Sequence, residues 1–78
     1  IANELSYLFS DKIIVVAYLA GTKANLSLRG KGIRDITLKA IEGIENARGG
    51  GHKDATGAQM NVEDLPRFKE NVEKLIKV

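Results

Sequence analysis

Cysteine is absent from the 78 residues, which excludes both a disulfide framework and a thiolate metal site. That agrees with a reducing, cytoplasmic setting. Tryptophan is absent as well. The four aromatics, Tyr7, Phe9, Tyr18 and Phe68, all fall inside apolar patterns, so no aromatic platform for stacking bases is evident. Histidine occurs once, at His52, and the Asp and Glu residues are scattered without the spacing of a metal cluster. No cofactor is therefore expected on this chain. Proline occurs once, at Pro66, so little else interrupts a regular element. The longest apolar run, Ile13–Ala20, is too short to span a bilayer and lacks the flanks of a secretory signal, so no membrane partner is expected. The chain begins at Ile1 rather than at an initiator Met and reads as a fragment of a longer protein.

What remains is enough for one small domain. Hydrophobic residues make up 44% of the chain, which supports a core of modest margin at this length. The formal net charge is +2, too mild by itself to define a polyanion binder. Its distribution says more. Lys23, Arg29, Lys31 and Arg34 lie close together in sequence, and Arg48 and Lys53 bracket a glycine run. Such a cluster is either a solvated face or a local field for a polyanion.

Residues 1–9 place Ile1, Leu5, Leu8 and Phe9 at helical spacing, which predicts the end of a helix linking to another domain over residues 1–11. Continuous β-branched residues over 12–19 predict a strand buried on both faces. Ala20–Lys23 reads as a hairpin connection. Residues 24–29 then alternate, with Ala24, Leu26 and Leu28 on one face and Asn25, Ser27 and Arg29 on the other. From Ile33 the stripe Ile33, Ile36, Ala40, Ile41, Ile44 and Ala47 predicts a helix with Asp35 as N-cap and Gly43 in its interior. Ala58, Met60 and Val62 alternate as a third strand. A last helix from about Asp64 to Lys77 carries Pro66 in its first turn. There is no internal repeat. The order helix, strand, strand, helix, strand, helix predicts an α+β fold with a small mixed β-sheet packed by helices.

The stretch Arg48-Gly49-Gly50-Gly51-His52-Lys53-Asp54-Ala55-Thr56-Gly57 stands out. Three glycines suit neither helix nor strand, because each loses more backbone entropy on folding than any other residue. One reading is a helix C-cap followed by a loose turn. The other is a nest of bare N–H groups for an anion, with Arg48, His52 and Lys53 beside it. Because a helical pattern precedes the glycines, the loop would lie at a negative helix end and would have to supply its own donors.

Ser27-Leu28-Arg29, the following helix, Gly49-Gly50-Gly51-His52 and Ala55-Thr56-Gly57-Ala58 together resemble the DHH-associated domain. This is the C-terminal accessory domain of DHH-superfamily phosphoesterases such as RecJ-type exonucleases and nanoRNases. The resemblance assigns residues 12–78 to that domain. It implies that Ser27 and Arg29 hold a phosphate or terminal nucleotide, and that Gly49, Gly50, Gly51, His52 and Lys53 line the phosphate side of a cleft. The implied partners are single-stranded DNA or RNA, or short oligonucleotides, together with the catalytic domain of the same protein. The metal-dependent phosphodiesterase activity, with Mn2+ or Mg2+, belongs to that catalytic domain, since no Asp-His-His triplet occurs here. Two departures stand against the resemblance: Gly30 replaces the usual Ser after the Arg, and Thr56 replaces a small residue. The same domain type also occurs in alanyl-tRNA synthetases and related editing proteins, which makes a tRNA-binding module the alternative. A site for a small phosphorylated ligand, such as a nucleotide or pyrophosphate, is the third reading.

Overall fold

The computed structural model describes residues 3–10 and 12–76. The elements run β1 (Asn3–Ser10), β2 (Ile13–Ala20), β3 (Lys23–Arg29), α1 (Ile33–Ala40), β4 (Arg48–His52), β5 (Ala55–Asn61) and α2 (Leu65–Ile76), with a 3-10 turn at Val62–Asp64 before α2. The α+β class holds. The five strands form one sheet in the order β1-β2-β3-β5-β4. All four pairings are antiparallel, so the sheet is not the mixed one expected. The β2–β3 and β4–β5 pairs are tight hairpins, through Gly21-Thr22 and Lys53-Asp54. The described helices are neither long nor apolar enough to cross a membrane.

Residues 3–10, expected as the end of a helix, are a strand. Leu5, Leu8 and Phe9 fit a helical period, but Leu5, Tyr7 and Phe9 fit a period of two equally well. Pairing decides between them, because Tyr7 lies opposite Val15 and Leu5 opposite Ala17. Tyr7 and Phe9 then join the core, 6.1 Å apart between ring centroids, and the Lys69 ammonium lies 4.5 Å above the Tyr7 ring.

One sheet face carries the core. Val15, Ala17, Ala24, Leu26, Leu28, Ala58 and Met60 point toward α1 and α2, which contribute Ile33, Ala40, Leu65, Phe68 and Val72. Within α1 the buried residues are Ile33, Thr37 and Ala40, one stripe of the helix. The predicted longer helix stops at Ala40. The Asn71 side chain of α2 donates to the Ala40 carbonyl at 3.0 Å, and the chain then bends at Gly43 (φ 80) and Asn46 (φ 64). Left-handed residues cannot continue a right-handed helix. Asp35 is not the N-cap. Gly32 takes that position at φ 74, and α1 receives its start from elsewhere: Arg34 N–H donates to the Lys53 carbonyl and Ile33 N–H to the Gly30 carbonyl. Asp35 and Lys39 form no ion pair, whereas Glu70 and Lys74 do, at 3.2 Å on the exposed side of α2. Such a pair contributes only about 0.3–0.5 kcal/mol.

Both departures from the family pattern have a physical cause. A Cβ on Gly30 (φ 155) would stand 2.6 Å from the Lys12 carbonyl oxygen and 2.8 Å from an Ile13 side-chain carbon. No serine fits there. Thr56, in β5, is buried beneath α1, and its hydroxyl bonds that of Thr37 at 2.8 Å. Among the described residues this is the one side-chain hydrogen bond between α1 and the sheet, and both hydroxyls are satisfied by it.

Two outcomes follow for unfolding measurements. Gly30→Ser should lower stability by about 1–3 kcal/mol through backbone strain and collision. Thr37→Val or Thr56→Val alone should cost about 1–3 kcal/mol, because each strands a buried hydroxyl, while the double variant should recover most of that loss.

Candidate functional site

The two helices lie on the core side, and among the described residues no helix lies over the opposite sheet face. Alternation along each strand places a fixed set of side chains there. The register reads across the sheet in rows. Val16 lies opposite Ser27, Ser27 opposite Gly57, and Gly57 opposite Gly50. The next row along the strands is Ile14, Arg29, Ala55 and His52. On the other side of the glycines comes Tyr18, Asn25, Gln59 and Arg48. Adjacent rows on one face are about 6.8 Å apart, and adjacent strands about 4.8 Å.

The glycine triplet is therefore not a loop but edge strand β4, paired residue for residue with β5. Nor does it sit at a helix end, since α1 finishes eight residues before Arg48. Pairing with β5 and the approach of α1 override the low strand propensity of glycine. As an edge strand, β4 leaves alternate N–H and C=O groups without a ladder partner.

The three glycines are not equivalent. Gly49 faces α1, where a Cβ would meet the Gly57 carbonyl oxygen at 3.0 Å and Thr37 Cγ2 at 3.2 Å. Gly51 has φ 146, and a Cβ there would stand 2.7 Å from the Ala55 carbonyl oxygen. Packing within the chain demands both. Gly50 is different. Its φ is ordinary and no atom lies within 4 Å of a Cβ placed on it. Its cross-strand neighbour Gly57 would tolerate a Cβ too, with the nearest contact at 3.5 Å. Nothing in the fold requires either residue to be glycine.

Around this bare pair stand the polar groups. Ser27 is half-buried beside Gly57. Arg29 and His52 are exposed on either side of Ala55, their Cα atoms about 9.6 Å apart by strand spacing. Neither side chain has a hydrogen-bond or ion-pair partner among the described residues, and nor has Arg48. Arg29 is not tied to Asp54, whose carboxylate accepts from Gly32 N–H at 3.0 Å. The structure thus brings Ser27, Arg29, Gly50 and His52 to one face, while Gly49 and Gly51 turn their α-carbons toward the core side. Lys53 occupies the β4–β5 turn and lines a separate hollow with Gly32, Arg34 and Asp35. Lys23, part of the sequence cluster, bonds the Asn61 side chain at 2.9 Å, at the far end of β3 from Arg29.

The sequence reading placed Asn25 on this face with Ser27 and Arg29 and set Arg48 beside the glycines, but it missed Gly57, Gln59 and Tyr18 as members of the face. Alternation would have found Gly57 and Gln59, once β5 was aligned with β3. Tyr18 was placed in a doubly buried strand, yet it is 45% exposed, and Ile14, two rows away on the same face, is 42% exposed, because no described element covers that side of β2. Among the described residues no three His, Asp or Glu side chains converge as a metal ligand set.

An α+β domain with five antiparallel strands, helices on one face and a bare glycine pair on the other is the class that the geometry defines. The family model for the DHHA1 domain matches residues 1–78, and the chain belongs to that family, the C-terminal accessory domain of DHH-superfamily proteins. No curated protein matches the chain.

The glycines separate in a stability test. Gly50→Ala should raise stability by about 0.4–1 kcal/mol, by restricting the unfolded chain at a compatible position. Gly49→Ala should lower it by about 1–3 kcal/mol, because α1 must move. Thermal or denaturant unfolding of the two variants reads the difference in sign.

Proposed function

We propose that the uncovered sheet face grips the sugar–phosphate backbone of single-stranded DNA or RNA, or of a short oligonucleotide, on behalf of a DHH-family metal-dependent phosphodiesterase acting in the cytoplasm as an exonuclease or oligoribonuclease. The observation that carries this reading is the Gly50–Gly57 pair. Each glycine in a strand costs about 0.5–1 kcal/mol relative to alanine. The fold requires neither, so close approach by something from outside is the remaining reason for them. Backbone free of side chains, edge N–H groups and unpaired cations make a site for an anion.

In this reading the phosphate rests over the glycine pair. The Ser27 hydroxyl donates from β3 and the Arg29 guanidinium forks onto two phosphate oxygens, which an ammonium cannot do. His52 closes the opposite side. The family's chemistry, water activated by Mn2+ or Mg2+, belongs to the catalytic domain of the parent protein. This chain contributes position: it holds the strand so that the scissile bond is presented in one register.

Titration of a labelled single strand against the chain should give a dissociation constant of roughly 10⁻⁴ to 10⁻⁶ M with a marked salt dependence. Arg29→Ala should weaken binding by about 1.5–3 kcal/mol and change folding stability by less than about 0.5 kcal/mol. Gly50→Ala should weaken binding while leaving the fold as stable or more so. Unchanged affinity in both variants overturns the assignment. Preference for folded tRNA over single strands would move the reading to the tRNA-binding branch of the family.

A further inference from the structure

Beside the glycine pair lies a shallow depression of about 460 Å³, bordered by Asn25, Gln59, Arg48 and Gly57. Asn25 and Gln59 face each other across β3 and β5, and Gln59 Nε2 donates to Asn25 Oδ1 at 2.9 Å. That bond uses one group from each amide. The Asn25 NH2, the second Gln59 N–H and the Gln59 carbonyl oxygen have no partner among the described residues. They present donors and an acceptor side by side toward solvent. Arg48 closes one end of the same row, and toward the other lies the half-exposed ring of Tyr18, with Glu4 of β1 beyond it.

We infer that this row is a nucleobase subsite, set one row along the sheet from the phosphate position. The inference rests on the phosphate-binding reading above. The chemistry of the row fits a base and not a second phosphate. An amide pair offers the adjacent donor and acceptor that match a base edge. The guanidinium plane and the phenol ring are the two kinds of surface on which unstacked bases lie. A second phosphate would call for cations, of which the row has one. The spacing of about 6.8 Å between rows lets one nucleotide reach from the glycine pair to the amides. The depression is open, so it reads a base without enclosing it.

The test compares two probes on this chain: a short single-stranded oligodeoxynucleotide and the same backbone with every base removed. Titrations are run with the wild type, Gln59→Met, Asn25→Ala and Arg29→Ala, with thermal unfolding as a check on folding. The wild type should bind the base-carrying strand about tenfold more tightly than the abasic one. Gln59→Met and Asn25→Ala should each bring that ratio down toward one while leaving abasic affinity unchanged. Arg29→Ala should weaken both probes by the same factor and preserve the ratio. Equal wild-type affinity for the two probes overturns the base subsite and leaves the phosphate reading standing. So does a ratio that survives both amide variants, because the pair is then only a cross-strand contact of the sheet. Binding of neither probe overturns the phosphate reading and this inference with it.

Discussion

The close seating of α1 on β4 and β5 is the contact on which the rest of the site depends. It brings Thr37 into hydrogen-bond range of Thr56 and leaves no room for a side chain at Gly49. A strand of three glycines has no side chains with which to hold itself in a sheet. Here the ladder to β5 and the helix behind it hold it instead. Because side chains alternate along a strand, seating Gly49 against the helix sends Gly50 to the opposite face. The geometry of the exposed face is thus fixed from the buried one.

Much of this was readable from residues alone, and the limits are physical. The alternation in Ala24–Arg29 and around Met60 identified β3 and β5, since a half-buried strand repeats every two residues. The stripe in α2 was equally plain. Residues 3–10 were misread because their apolar positions support two periods, with Leu5 and Phe9 common to both, and only the partner strand distinguishes them. The glycine triplet was misread because local propensity opposes a strand there, and tertiary contacts prevail. α1 was drawn too long because apolar residues after Ala40 keep helical spacing while packing from turns.

For the site, sequence placed Ser27 and Arg29 on one polar strand face, and the structure has them there. It could not tell one glycine from another, since the distinction rests on which neighbours a Cβ would meet. Nor could it show that Arg48, 19 positions after Arg29 in the sequence, shares the sheet face with it, while Lys53, next to His52, points into a different hollow. The register of β4 against β5 makes that choice.

The Lys53-Asp54 turn is tied to the loop ahead of α1 and to the first turn of α1 by three separate groups: the Asp54 carboxylate and carbonyl hold Gly32 and Gly30, and the Lys53 carbonyl holds Arg34. Arg29 ends the strand entering that loop, and His52 ends the strand entering that turn. The ends of two strands separated by a third are thereby closed into a single brace. A ligand arriving between Arg29 and His52 finds the backbone on both sides already set, and only two side chains remain to be ordered. Selectivity at such a place comes from fixed spacing rather than from induced closure, as in a caliper locked at one width.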